Sequence, residues 1–255
     1  MSSELVCERR DDVLLLIINR PERRNALNSA VISGILDGLR SVRDDRALRA
    51  IVLTASGDAA FCAGAELQTG KSFTFDFSRT SNDYSDLLRE MQAAEVPLIA
   101  RIIGSCLAGG MGLLAACDVA FAVEHAMFGL PEVRVGVFPM QVLAQLKSLV
   151  PKRALVKLCL SGESITAAEA ERIGLVTEVC SSLDQSIDRF LENLRRGSSV
   201  AVRRGLYAIK AVEFMTFAEA MAFTEGQIAL VAQTADAQEG LAAFREKRSP
   251  NWPNA

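Results

Sequence analysis

GSCLAGGMGLLAACD, residues 104–118, sets a glycine pair at the mouth of an apolar helix. Glycine lets a ligand oxygen come close to the backbone. The N–H groups of a first helical turn lack intrahelical acceptors and point at that oxygen with the helix dipole behind them. The same residues read equally as a tight turn before a buried helix. Working toward the amino terminus, FCAGAEL at residues 61–67 follows the strand-like run 50–54 and the turn Ser56-Gly57-Asp58. Ala63, Gly64 and Ala65 are too small to shield their own amides. An N–H at Ala65 can therefore supply the second donor of a two-donor clamp on one carbonyl oxygen.

Around these two segments the hydrophobic spacing predicts alternating strands and helices. Strands are expected at 13–19, 50–54, 98–103 and 119–123, with helices at 29–42, 86–94 and 109–117. In the first helix Val31, Ile32, Ile35, Leu36 and Leu39 recur at helical spacing. This rhythm indicates an α/β class with parallel strands joined by helical crossovers. After Val179 the strand signals stop, and residues 183–246 read as helices broken near Gly197-Ser198 and Thr216. Residues 68–86 have no clear period and read as a loop carrying Phe73, Phe75, Phe77 and Tyr84.

The chain has 255 residues, half of them hydrophobic and 23% charged, with a net charge of −3, so it is able to bury a large core. That charge balance gives no reason to expect nucleic acid as a partner, and one tryptophan with two tyrosines offers few stacking platforms. Six cysteines, at positions 7, 62, 106, 117, 159 and 180, show neither a CxxC pair nor zinc-site spacing, and they read as small buried apolar residues. Charged residues by Glu8 and the short apolar runs lead to the expectation of a cytoplasmic protein without a membrane span. A single histidine, His125, and no GxSxG elbow leave a serine hydrolase triad with little support, although Ser105 lies near the glycine turn. Asp118, at the end of the glycine-pair helix, reads as a cap for nearby backbone groups.

Taken together, six ordered blocks resemble the crotonase superfamily, the enoyl-CoA hydratase and isomerase family. They are NRPERRNALN (19–28), FCAGAEL (61–67), LAGGMGLLAACD (107–118), FGLPEVRVGVFP (128–139), LSGESITAAEAERIGLVTEV (160–179) and TADAQEGLAAFREKRSPNW (234–252). The resemblance implies a spiral of stacked ββα units over residues 1–195. It also implies a carboxy-terminal helical region, 196–255, through which such proteins form trimers that pair into hexamers. Phe214, Phe217, Ala218, Met221, Ala222 and Phe223 provide apolar stripes that suit either a neighbouring subunit or the chain's own core. The substrate would be an acyl-CoA thioester, with coenzyme A entering as part of it and no cofactor bound permanently.

The same resemblance assigns roles to individual residues. The backbone amides of Ala65 and Gly109 would form the clamp. Arg23 and Arg24 would meet phosphate, and Ala26 and Leu27 would offer backbone groups to the pantetheine arm. Ala63, Ala65, Glu66 and Leu67 would flank adenine and thioester, while Phe244 and Lys247 would reach a neighbouring subunit's nucleotide. Glu132 stands where the family carries its acid/base glutamate. Hydratases of the two-carboxylate type carry a second glutamate three residues after Gly109, and here that position is Gly112. A lone Glu132 fits three alternatives: hydration of a branched or glutaconyl-like enoyl-CoA, migration of its double bond, and a noncatalytic acyl-CoA-binding subunit. The retained Glu132 and clamp segments weigh against the last.

Overall fold

The computed structural model describes residues 3–66, 78 and 80–253. The chain opens with an antiparallel pair, β1 (Leu5–Arg10) and β2 (Val13–Ile18), followed by α1 (Ser29–Ser41). Three turns of one pattern come next: β3 (Ala50–Ala55), β4 (Ala60–Cys62) and α2 (Asp83–Gln92); β5 (Leu98–Ile102), β6 (Ser105–Leu107) and α3 (Gly109–Ala115); β7 (Val119–Val123), β8 (Met127–Gly129) and α4 (Met140–Leu149). Each turn lays one strand in each of two sheets and closes with a helix. α5 (Lys152–Ser161), β9 (Ser164–Thr166), α6 (Ala167–Arg172) and β10 (Glu178–Cys180) complete both sheets.

The larger sheet has the order β1-β2-β3-β5-β7-β10, parallel from β2 onward, and the smaller has the order β4-β6-β8-β9. Among the described residues, the first turn joins the smaller sheet through an isolated parallel bridge between Leu27 and Ala65. Strands β2, β3 and β5 are near-continuous runs of Val, Ile, Leu and Ala because helices cover the sheet, and Leu16, Ile18, Leu53 and Ile99 sit at its buried centre. The result is the expected spiral of stacked ββα units.

Four helices follow: α7 (Leu183–Arg196), α8 (Ser199–Val212), α9 (Phe217–Val231) and α10 (Ala235–Glu246). The breaks at Gly197-Ser198 and Thr216 fall where expected. A third break, at Thr234, was not foreseen; its hydroxyl accepts from the Ala237 N–H and caps α10. α7 belongs to the spiral, with Phe190 tilted against Phe121 at 5.9 Å and Arg101 bound to Asp184 at 3.0 Å. α8 is anchored by Arg203, which donates to the carbonyls of Asp45 and Leu48, and by Lys210, which pairs with Asp118 at 3.2 Å. α9 buries none of its residues. No helix among the described residues is long and apolar enough to cross a membrane.

One expectation needs correcting. Tyr84 does not lie on a loop but in the first turn of α2, which starts three residues earlier than its apolar spacing indicates. A capping box sets that start: the Asn82 side chain accepts from the Ser85 N–H at 2.9 Å, and the Ser85 hydroxyl accepts from the Asn82 N–H at 3.2 Å. Phe73, Phe75 and Phe77 lie outside the described residues, as does Leu67.

Candidate active site

Strands β4, β6 and β8 run parallel, with Cys62 opposite Cys106 and Cys106 opposite Phe128, so their carboxyl ends come together. The chain leaves β4 into Ala63-Gly64-Ala65, β6 into Ala108-Gly109, and β8 into Leu130-Pro131-Glu132. The three sequence-predicted catalytic positions thus stand at three adjacent strand ends. Parallel sheets place ligands beyond such ends because the backbone there turns away and leaves its polar groups free.

Ala65 reaches the edge of the smaller sheet through its bridge to Leu27. The Leu27 N–H donates to Gly64 O and the Glu66 N–H donates to Leu27 O, both at 2.8 Å, which turns the N–H of Ala65 itself away from the bridge. Gly109 is the first residue of α3, where no carbonyl four residues earlier is in helical register. Neither amide finds an acceptor among the described residues. They also lie close to one another. A Cβ added at Gly109 would stand 3.7 Å from the Ala65 nitrogen, and one added at Gly64 would stand 3.3 Å from the Gly109 nitrogen.

The approach depends on glycine and on strain. Gly64 has φ +93°, and a Cβ there would lie 2.6 Å from the Ala108 Cβ. Ala108 itself sits at φ 49° and ψ −123°, unusual for a residue with a side chain. It is held there by its N–H donating to Gly129 O and its carbonyl accepting from the Met111 N–H, both at 2.9 Å.

Glu132 lies in a 3-10 turn, Pro131–Val135, and is half-buried. Its Oε2 is buried and has no hydrogen-bond partner among the described residues. Burial raises its pKa above the ordinary carboxylate value, offset in part by its own backbone N–H. The Tyr84 hydroxyl donates to Gly109 O at 2.5 Å. Its pKa is pushed well up by burial first, then by Cys62, Cys106 and Glu132. Cys62 and Cys106 are buried beneath the clamp as packing thiols, with Cys62 pushed up to about 12 by desolvation.

On the other side of Ala65, Arg20 is buried and joins two segments. It donates to Ala26 O and to Glu66 Oε2, each at 2.8 Å, so Glu66 enters an ion pair that braces the Ala65 bridge. Asn25, at φ 54°, is also buried; it accepts from the Arg20 N–H and donates to Ser56 O and Ala60 O. Neither residue was singled out from the sequence, although both lie in the NRPERRNALN block and are polar beside apolar runs. Ala26 and Leu27 are buried, and Ala63 donates to Arg24 O at 3.1 Å. Arg23 and Arg24 are exposed on this rim. Phe244 and Lys247 stand exposed at the carboxyl end of α10, and no hydrogen bond or ion pair among the described residues joins them to this site. His125 is exposed on a surface turn. Asp118 caps as expected, accepting from the Leu98 N–H at 2.8 Å.

Comparison with known proteins identifies the fold and family. A relative from Escherichia coli K12, 2,3-dehydroadipyl-CoA hydratase, is 36% identical over 98% of each chain. A crotonyl-CoA hydratase from Syntrophomonas wolfei is 31% identical over 97% of each. The crystal structure of an enoyl-CoA hydratase from Mycobacterium smegmatis superposes with a TM-score of 0.93 at 29% identity, covering 98% of this chain and 99% of the other. The sequence model of the enoyl-CoA hydratase/isomerase family matches residues 8–255. A family model matched over residues 8–255, a relative 36% identical over 98% of each chain and a spiral shared over nearly its whole length with a solved hydratase make this chain a member of the enoyl-CoA hydratase/isomerase family, with the crotonase fold.

Proposed function

We propose that the protein adds water to an enoyl-CoA thioester, with the amides of Ala65 and Gly109 holding the thioester oxygen and Glu132 acting as the single acid/base. The observation that carries this is the nearness of two N–H groups unpaired among the described residues, with a carboxyl bearing one buried, unpaired oxygen at the next strand end. Donors preorganised on a developing enolate oxygen lower its energy without reorganisation at the moment of reaction. A carboxyl whose pKa is raised by burial exchanges protons closer to neutrality. Arg23 and Arg24 would meet the coenzyme A phosphates. Ala26, Leu27, Ala63 and Glu66 would line the arm and thioester, and Leu67 completes that set from outside the described residues.

Gly112 leaves no second carboxylate at its position, which favours substrates that contribute contacts of their own. The Escherichia coli relative is named for a dicarboxylic acyl group, whereas the Syntrophomonas wolfei relative is named for crotonyl-CoA. We therefore expect a branched or carboxylated enoyl-CoA to be hydrated faster than crotonyl-CoA. Double-bond migration is the second reading, because one carboxylate suffices to remove a proton at one carbon and return it at another. A panel of straight, branched and carboxylated enoyl-CoA esters, with product masses read out, separates the two. Glu132→Gln should lower turnover by roughly 10²- to 10⁴-fold with binding little changed. An unimpaired variant would overturn the acid/base assignment.

We further propose a core of residues 1–195 and a helical region, 196–255, that assembles a trimer or a dimer of trimers. α9 supports this: it is apolar round much of its circumference yet has no fully buried residue within its own chain. Phe244 and Lys247 would then reach the nucleotide of a neighbouring subunit.

A further inference from the structure

The position that lacks a carboxylate is not empty. A Cβ at Gly112 would stand 2.1 Å from the Tyr84 hydroxyl oxygen, 3.2 Å from Tyr84 Cζ and 3.3 Å from Val142 Cγ2. The volume that a side chain at 112 would enter is already held by an oxygen delivered from α2. Three contacts make that delivery rigid. The capping box places Tyr84 in the first turn of α2. Asn82 of the same box accepts from the Gln141 side chain at 2.9 Å, locking α2 to α4. The hydroxyl itself donates to Gly109 O at 2.5 Å.

That last bond decides what the hydroxyl can do. A phenol has one proton and acceptor capacity besides. Its proton is committed to Gly109 O, so toward a ligand it can only accept. Burial also keeps it un-ionised, so it is no base. A water molecule has two hydrogens to place, and Glu132 offers a buried, unpaired oxygen for one of them.

We propose that Tyr84 replaces the second carboxylate of a two-carboxylate hydratase, its oxygen accepting one hydrogen of the nucleophilic water while Glu132 accepts the other. This rests on the hydration reading. The water oxygen bonds to C3 of the enoyl group as the hydrogen facing Glu132 moves to its carboxylate. The double-bond electrons pass to the thioester oxygen, which the Ala65 and Gly109 amides hold. The enolate then takes that proton back from Glu132 onto C2. The water's other hydrogen, the one facing Tyr84, stays on the product hydroxyl. Water is consumed, Glu132 is regenerated, and the Tyr84 proton never leaves its bond.

The test separates water placement from folding and from the acid/base. Tyr84→Phe keeps the ring and deletes the oxygen. Three readouts are compared with wild type: hydration rate, Glu132-dependent exchange of the C2 proton of a saturated acyl-CoA in deuterium oxide, and affinity for butyryl-CoA. Hydration should fall about 10- to 100-fold, the scale of one lost hydrogen bond in a transition state, while exchange and affinity stay within about twofold. Gly112→Glu alone should hydrate poorly, because its side chain collides with the phenol. Combining Gly112→Glu with Tyr84→Ala should recover hydration, since a carboxylate then fills the vacated place. Tyr84→Phe hydrating at the wild-type rate overturns the proposal, as does an equal loss in all three readouts. A double variant no better than Gly112→Glu also overturns it. A wild type that hydrates none of the thioesters removes the hydratase reading, and this role with it.

Discussion

At the scale of single residues, Glu132 has an energetic signature that its chemistry alone would not show. In the unfolded chain its carboxyl titrates at the ordinary value; in the fold the value is higher, because burial penalises the charged form. Below both values the group is protonated in both states and the shift has no effect on stability. Above both, the fold carries the cost of a desolvated charge, so stability is lost as pH rises through the window between them. Glu132→Gln removes that cost. Its thermal midpoint should exceed that of wild type near pH 8, and the two should converge as pH falls below the ordinary carboxylate range. Turnover should show the opposite dependence, rising with pH through a value above that of a free glutamate. Equal midpoints at pH 8 would show that the carboxylate is better solvated than its burial implies. The sequence made Glu132, Ala65 and Gly109 visible because each sits in a dense local motif. It showed Tyr84 only as a loop aromatic and not as the neighbour of Gly112, which it meets across 28 positions of chain and through a helix start set by Asn82 and Ser85.

At the scale of elements, adjacent glycines in α3 do different work. A Cβ at Gly109 would stand 3.3 Å from Leu27 Cδ1 and 3.7 Å from the Ala65 nitrogen, beside the proposed clamp. One at Gly110 would lie 2.7 Å from Cys62 O and 2.8 Å from Cys62 Cβ, forcing α3 off β4. Gly109→Val should therefore fold and lose roughly 10²- to 10³-fold in turnover, the usual effect of spoiling one oxyanion donor. Gly110→Ala should instead cost about 1–3 kcal/mol of stability, as overpacking does. Chemical denaturation and steady-state rates on both variants check this, and a stable, inactive Gly110→Ala would contradict it. Strands of five or six apolar residues, such as β3 and β7, were legible from composition. β4, β6, β8, β9 and β10 were not, because three residues carry no period and their places are set by pairing with strands distant in sequence. β1, with its charged Glu8, Arg9 and Arg10, escaped notice as an edge strand.

At the scale of the whole molecule, the spiral is self-sufficient and α9 is not. Phe217 is 82% exposed and Phe244 is 83% exposed, and Ile228 and Met221 add to the uncovered surface. Aromatic side chains bury about 150–250 Å² each when covered, so leaving several in water is a large loss that the proposed assembly would recover. Light scattering at micromolar concentration should give a trimer or hexamer. Phe217→Asp combined with Met221→Asp should shift the mass toward monomer while circular dichroism stays unchanged, since α8 remains tied to the spiral through Arg203 and Lys210. A monomeric wild type would refute the assembly.

The two thiols under the clamp bear on a hazard peculiar to this substrate class. A thioester is itself an acyl donor, and a thiolate beside it would capture the acyl group and expel coenzyme A, leaving the enzyme acylated on its own cysteine. The thiolate is the attacking species, so the fraction ionised governs that side reaction. With Cys62 pushed up to about 12 and Cys106 also raised, both by burial, that fraction is negligible near neutral pH. Iodoacetamide should accordingly label exposed Cys7 in the native protein and spare Cys62 and Cys106 until it unfolds, as peptide mass mapping would show. Close packing beneath the proposed clamp would thus also act as chemical insulation, letting a protein with sulfur beside that site hold activated acyl groups without becoming their acceptor.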